Sequence, residues 1–181
     1  MSPADQAITL KQVQLRLGVP QHVLIHLCEK GVVEPDFADT SGRGKRRQFS
    51  QRNLFEFGVA LSLRKFELPI ATVGLVVHLL RSFERAVGKQ QPGFGLLDVL
   101  LKSRVALELV LYEGDLLVLV TKGASFKRPL LLGARIGAAL KGAASSPRVT
   151  KLDELPARFE ARLQVNLVEI ARNVLGLTLS E

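Results

Sequence analysis

Cysteine is nearly absent from this chain of 181 residues, since Cys28 is the only one. A single cysteine excludes an internal disulfide and is typical of proteins in a reducing compartment. The first residues also lack the basic and apolar regions of a secretory signal peptide. We therefore expect a cytoplasmic protein.

Long apolar runs are absent as well. The most apolar stretch, 105–120, is interrupted by Glu108, Glu113 and Asp115 and falls far short of an unbroken membrane span. At the same time 47% of the residues are hydrophobic and 23% are charged, which argues against a disordered chain. We expect a folded protein without a membrane partner.

Patterns of catalytic residues are also missing. The sequence has no glycine-rich phosphate loop and no Ser-His-Asp or Cys-His arrangement, whereas an enzyme needs a positioned acid, base, nucleophile or metal. His22 and His26 are four residues apart, a spacing at which two imidazoles can share a metal ion. Cys28 lies about 200° around the same helix from His26 and cannot easily join them. We expect neither an enzyme nor a bound metal or cofactor.

Positive charge is in excess and is concentrated in one short segment. The net charge is +8 and the isoelectric point is about 10.1, which favours an anionic partner. Residues 43–52 contain five basic residues and no acidic one. Such a run is ordinarily a solvated loop, but this one follows two short helices that end in glycine, which favours contact with DNA phosphates. The expected contacts are Arg43, Lys45, Arg46, Arg47 and Arg52, with Phe49 anchoring the segment by packing rather than by stacking on a base.

Two short helices are predicted before this segment. Thr9 and Gln12 form a capping box for a helix that ends before Gly18. Pro20, a residue favoured in the first helical turn, opens a second helix that runs to about Lys30. The two helices are therefore separated only by a tight turn.

The second helix has two chemically different faces. Val23, Leu24 and Leu27 form an apolar stripe, which we expect to be buried. The opposite face either reads base edges in DNA or simply faces solvent, and the position of the helix favours the first interpretation. The residues expected to make these contacts are Gln21, His22, Ile25, His26 and Glu29.

Two further helices are predicted after the basic segment. The polar stretch with Gly42 and Gly44 predicts a hairpin or loop tip. Ser50 then caps a third helix that runs to about Lys65, and a fourth helix begins near Pro69.

A series of motifs occurs in order along the first 80 residues. They are Gly18-Val19, Leu24, Gly31-Val32-Val33-Glu34-Pro35, Arg47-Gln48-Phe49-Ser50, Leu54, Leu63-Arg64, and Ile70 with Val73. In this order and spacing, the chain resembles the DNA-binding domain of the MerR family of bacterial transcription regulators. Two positions depart from that pattern: Ile25-His26-Leu27 replaces a basic residue and two aromatics, and Glu67 replaces a frequent turn glycine.

The resemblance implies a winged helix-turn-helix. Its second helix would enter the major groove of double-stranded DNA, and its basic wing would grip the phosphates. It also implies a homodimer that bends or untwists promoter DNA to control RNA polymerase. From a different class, an excisionase-like architectural module or a protein-interaction module remains the alternative.

The second half predicts a small α+β domain after a break at Gln90-Gln91-Pro92-Gly93, so that the domains are 1–90 and 94–181. A short helix is expected over 96–102, and two strands, 104–112 and 115–122, form a hairpin through Glu113-Gly114. Residues 129–141 are ambiguous between strand and helix, 148–151 predict a short strand, and 165–175 predict an amphipathic C-terminal helix.

This second domain could serve dimerisation, partner contact or the sensing of a small-molecule or protein effector. Two apolar stripes are candidates for the dimer interface. The stripe on the fourth helix is Leu75, Leu79, Leu80, Phe83 and Val87, and the stripe on the last helix is Leu167, Ile170 and Val174. Either stripe could instead pack within the subunit.

Overall fold

The computed structural model describes residues 7–37, 47–90, 92–102, 106–112, 116–122, 131–135, 148–149 and 161–176. These residues form helices and two antiparallel sheets, one with two strands and one with five. The α+β class predicted from the sequence is therefore confirmed.

The first helix begins and ends where its capping residues predict. Strand β1 (Ile8–Thr9) leads directly into helix α1 (Leu10–Leu17). The Thr9 hydroxyl accepts from the Gln12 amide at 3.4 Å, and the Thr9 amide donates to Gln12 Oε1 at 2.8 Å, which completes the capping box. Gly18 ends the helix with φ 64°, a conformation that costs glycine little because it has no Cβ.

Helix α2 (Gln21–Glu29) follows α1 after three residues, and strand β2 (Gln48–Phe49) follows later in the chain. Strand β2 pairs antiparallel with β1, so that Ile8 lies opposite Phe49 and Thr9 opposite Gln48. Strand β1 was not predicted, because two residues are too few to show the alternation typical of a strand. The predicted hairpin tip at Gly42 and Gly44 lies outside the described residues.

Helices α3 (Gln51–Arg64) and α4 (Ile70–Gln90) confirm the third and fourth predicted helices. Glu67, in the turn between them, has φ 58°, and it stands where the MerR-like pattern often has glycine. The core formed by the first 80 residues is apolar and includes an edge-to-face contact between the rings of Phe49 and Phe57, whose centroids are 5.4 Å apart. Its fully buried members include Val13, Leu24, Val33, Phe49, Leu54, Phe57, Leu63 and Val73.

The second half contains helix α5 (Leu96–Lys102) and a five-stranded antiparallel sheet. Its strands are β3 (Ala106–Tyr112), β4 (Leu116–Lys122), β5 (Leu131–Arg135), β6 (Arg148–Val149) and β7 (Arg162–Asn166), in the order β6-β5-β4-β3-β7. The predicted hairpin is confirmed by the β3–β4 pairing, in which Leu109 lies opposite Leu119. The ambiguous segment contains a strand, β5, which pairs with β4.

The last helix, α6 (Leu167–Leu175), is shorter than the predicted helix. Val165 and Asn166, predicted to be helical, belong instead to β7, where Val165 lies opposite Leu109. Asn166 Oδ1 accepts from the amides of Val168 and Glu169 at 3.1 Å each, and this cap sets the helix start.

By their internal contacts the residues form two compact units. The first contains residues 1–77 and 170–181, and the second contains residues 78–169. Helices α4 and α6 each contribute residues to both units. Within the first unit, Ile170 and Val174 of α6 lie against Gly58 of α3. Among the described residues, no helix combines the length and apolarity needed to cross a membrane.

Candidate nucleic-acid interface

The exposed face of α2 carries polar side chains of mixed chemistry. Leu24 and Leu27 are buried, which turns the opposite side of this nine-residue helix outward. The side chains of Gln21, His22, His26 and Glu29 are all exposed. Amide, imidazole and carboxylate groups together can donate to and accept from polar edges, as base recognition in the major groove requires.

Ile25 differs from its neighbours on this face because it is half-buried. Its aliphatic side chain has no hydrogen-bonding group, so the exposed part can make only apolar contact, for example with a thymine methyl. His22 and His26 do not form part of a larger cluster of metal-binding side chains within the described ranges.

The basic segment is described only at its C-terminal end. Arg47, just before β2, is half-buried, and Arg52, in the first turn of α3, is exposed. Arg43, Lys45 and Arg46 lie outside the described residues. Within the described residues, the candidate surface therefore consists of the outer face of α2 and the two arginines that flank β2.

Phe49 supports this segment from inside the fold. Its side chain is fully buried, with 0% exposure, and its ring meets that of Phe57 edge to face. This burial agrees with the packing role expected of Phe49.

A polar network centred on the buried Asn53 connects the chain before the basic segment with the start of α3. Asn53 Oδ1 accepts from the amides of Asp36 at 2.9 Å and Ser50 at 3.1 Å. Asn53 Nδ2 donates to the Glu34 carbonyl at 2.8 Å and to Glu56 Oε2 at 3.0 Å. The Ser50 hydroxyl accepts from the Asn53 amide at 3.1 Å and donates to the Asp36 carboxylate.

Ser50 was predicted to be a helix cap, whereas no role was predicted for Asn53 or Asp36. Asn53 occupies the third position after the cap, where its side chain returns to the Ser50 amide and completes a capping box. That local spacing was a usable signal for Asn53. The bonds to Glu34 and Asp36 join residues that are distant in the chain, and no local pattern predicts them.

The two apolar stripes considered for dimerisation are largely covered within the chain. On α4, Leu79, Leu80 and Phe83 are buried, and Leu75 is half-buried. On α6, Val174 is buried against Gly58 and Ile170 is half-buried. The Val87 side chain lies outside the described residues.

No protein-family model matches the chain, and no curated protein matches it either. The resemblance to the MerR family therefore remains a prediction from the residues that carry it.

Proposed function

We propose that this protein is a sequence-specific regulator of transcription that binds double-stranded DNA through a MerR-like winged helix-turn-helix. Helix α2 lies in the major groove, and the basic segment 43–52 contacts the phosphates. The observation that carries the proposal is the outer face of α2, where four exposed polar side chains stand on a helix whose other face is buried.

The connection between α1 and α2 supports this assignment. Only Gly18, Val19 and Pro20 separate the two helices, and both helices bury leucine or valine in the same unit. A second helix held after a tight turn is the element that enters the groove in helix-turn-helix proteins. The polar groups of α2 then discriminate among base pairs, because each base pair presents a distinct set of donors and acceptors in the major groove.

The charge distribution supports the second contact. Residues 43–52 contain five basic residues and no acidic one, and the exposed Arg52 directly precedes Asn53 in the chain. Phosphate contacts by arginine and lysine supply affinity for any sequence and orient the protein on the duplex. Affinity and sequence choice thus come from different residues of one unit.

A homodimer completes the proposed mechanism. One short helix and one wing cover a small part of the duplex, and a single module of this kind has limited specificity. Two copies related by a two-fold axis double the contacts and place their recognition helices in successive major grooves. Bending or untwisting of promoter DNA by such a dimer would then act on RNA polymerase.

Selection of bound fragments from genomic DNA by the full chain tests the proposal. We expect enrichment of one or a few promoter sites, each containing an inverted repeat. Binding dispersed over many unrelated fragments would favour the architectural module instead. Absence of duplex binding at low salt would refute DNA recognition and leave a protein-interaction module.

A further inference from the structure

Asn53 uses every hydrogen-bonding position of its side-chain amide. The oxygen accepts two bonds and the nitrogen donates two, which is the full capacity of this group. The residue is fully buried, with 0% exposure. Among the described residues no buried side-chain nitrogen or oxygen lacks a partner, so the network around Asn53 is complete.

The partners of Asn53 lie on both sides of the basic segment. Glu34 and Asp36 precede it, Ser50 lies near its C-terminal end, and Glu56 follows it. A backbone bond from the Phe37 amide to the Gln48 carbonyl, at 3.4 Å, adds one further link between the two sides. The Asn53 side chain therefore bonds at the same time to residues before the basic segment and to residues at and beyond its C-terminal end.

We propose that Asn53 is a positioning residue for DNA binding: it never touches DNA but holds Arg47 and Arg52, the two arginines that flank β2, where they can contact the phosphates. This inference rests on the proposed function. A side chain that is already held in position loses less conformational entropy when it binds. If the support is lost, this entropy cost rises and the contact becomes weaker.

The chemistry of the site explains why asparagine is required. Aspartate would keep an acceptor for the amides of Asp36 and Ser50. It would also place a second oxygen against the Glu34 carbonyl and the Glu56 carboxylate, where the present nitrogen donates. Alanine would remove all four bonds, including those to the buried residues Ser50 and Glu56.

The test compares Asn53→Ala with Val73→Ala in the full chain. Val73 is fully buried in the same unit but takes no part in the network, so its variant lowers stability while the network stays intact. Binding to a duplex of mixed sequence is measured from 50 to 200 mM salt. For Asn53→Ala we expect the slope of log affinity against log salt to fall by about one unit or more, which corresponds to the loss of at least one phosphate contact. For Val73→Ala we expect an unchanged slope.

Asn53→Asp serves as a second variant if the alanine variant does not fold, and its expected slope is lower than that of the wild type. A folded Asn53 variant with the wild-type slope would overturn the inference. An equal loss of slope in Val73→Ala would also overturn it, because general destabilisation would then explain the effect.

A measurement without DNA separates this inference from the proposed function. Hydrogen exchange of the Asp36 and Ser50 amides should be slow in the wild type and at least tenfold faster in the Asn53 variants, since both amides donate to Asn53. Rapid exchange in the wild type would refute the anchoring itself. Slow exchange in a protein that binds no duplex would refute the proposed function, and with it the role of Asn53 in DNA binding.

Discussion

Replacement of Gly58 by alanine tests how the C-terminal helix packs in the first unit. A Cβ at this position would lie 2.6 Å from Val174 Cγ1 and 2.8 Å from Ile170 Cγ2. Carbon atoms in contact are normally about 3.5–4.0 Å apart, so a shift of roughly 1 Å is needed. Both clashing methyls are borne directly on a branched Cβ, and such side chains have one strongly preferred rotamer in a helix. The methyls cannot swing aside freely, and α6 must move away from α3.

Two opposing effects determine how much Gly58→Ala changes the free energy of unfolding. Insertion of an extra carbon into a packed core costs about 1–3 kcal/mol. Replacement of glycine by alanine within a helix contributes about 1 kcal/mol in the other direction. We expect Gly58→Ala to lower the free energy of unfolding by up to about 2 kcal/mol.

Gly74→Ala is the matched control. Gly74 also lies within a helix of the first unit, but a Cβ there would meet Val32 Cγ2 at 3.6 Å, an ordinary contact distance. This variant should gain stability, by roughly 0.5–1 kcal/mol. Because the helix-propensity term is common to both variants, their difference isolates the overpacking cost of about 1–3 kcal/mol.

Urea denaturation of the full chain, followed by circular dichroism, measures both values by linear extrapolation. Addition of Val174→Ala to Gly58→Ala should destabilise by less than the sum of the two single changes, because the added methyl then occupies the vacated space. The packing of α6 against α3 would be refuted if Gly58→Ala proved as stable as Gly74→Ala, or if the double variant showed simple additivity.

Four further predictions concern DNA contacts, assembly and the turn between α3 and α4. Arg46→Ala and Arg47→Ala should each weaken binding to all DNA sequences about equally and lower the salt slope by about one unit. An unchanged slope in the double variant would contradict the wing assignment. Ile25→Ala should alter base preference at one or two positions of the DNA site, at a cost of roughly 1–3 kcal/mol for the preferred base. Selection of the wild-type motif by an Ile25, His26 double variant would show that α2 does not read the base sequence. Light scattering of the full chain should give a dimer at micromolar concentration, and a protein that stays monomeric on its DNA site would rule the dimer out. Glu67→Val should be less stable than Glu67→Gly by roughly 1–2 kcal/mol in urea denaturation, because a branched side chain is poorly tolerated at positive φ; equal stability would refute strain at this turn.

The positions of the helices in the first unit could be predicted from the sequence because their signals are local. The capping boxes of Thr9 and Ser50 each involve a residue only three positions away, and Gly18 ends α1 by its own backbone conformation. Such features depend on a single helical turn. The outward-facing polar side of α2 could be predicted for the same reason, since helical geometry sets which residues share a face.

The second half shows where local signals end. The β3–β4 hairpin joins neighbouring segments and was predicted, whereas β7 pairs with β3 from a distant part of the chain and was missed. The apolar residues on both sides of Asn166 continue a helix-like pattern. The boundary between β7 and α6 at Asn166 is set only by the pairing of β7 with β3 and by the Asn166 cap.

Composition, charge and local spacing by themselves determined the α+β class, most helix boundaries and the basic segment that suggests DNA binding. The tertiary structure decided that Phe49 is buried, that Asn53 joins the two sides of the basic segment, and that α6 packs on Gly58 within the first unit. These features depend on contacts between residues far apart in the chain. Such contacts depend on steric fit and on the pairing of buried polar groups, and neither can be predicted from a few neighbouring residues in the sequence.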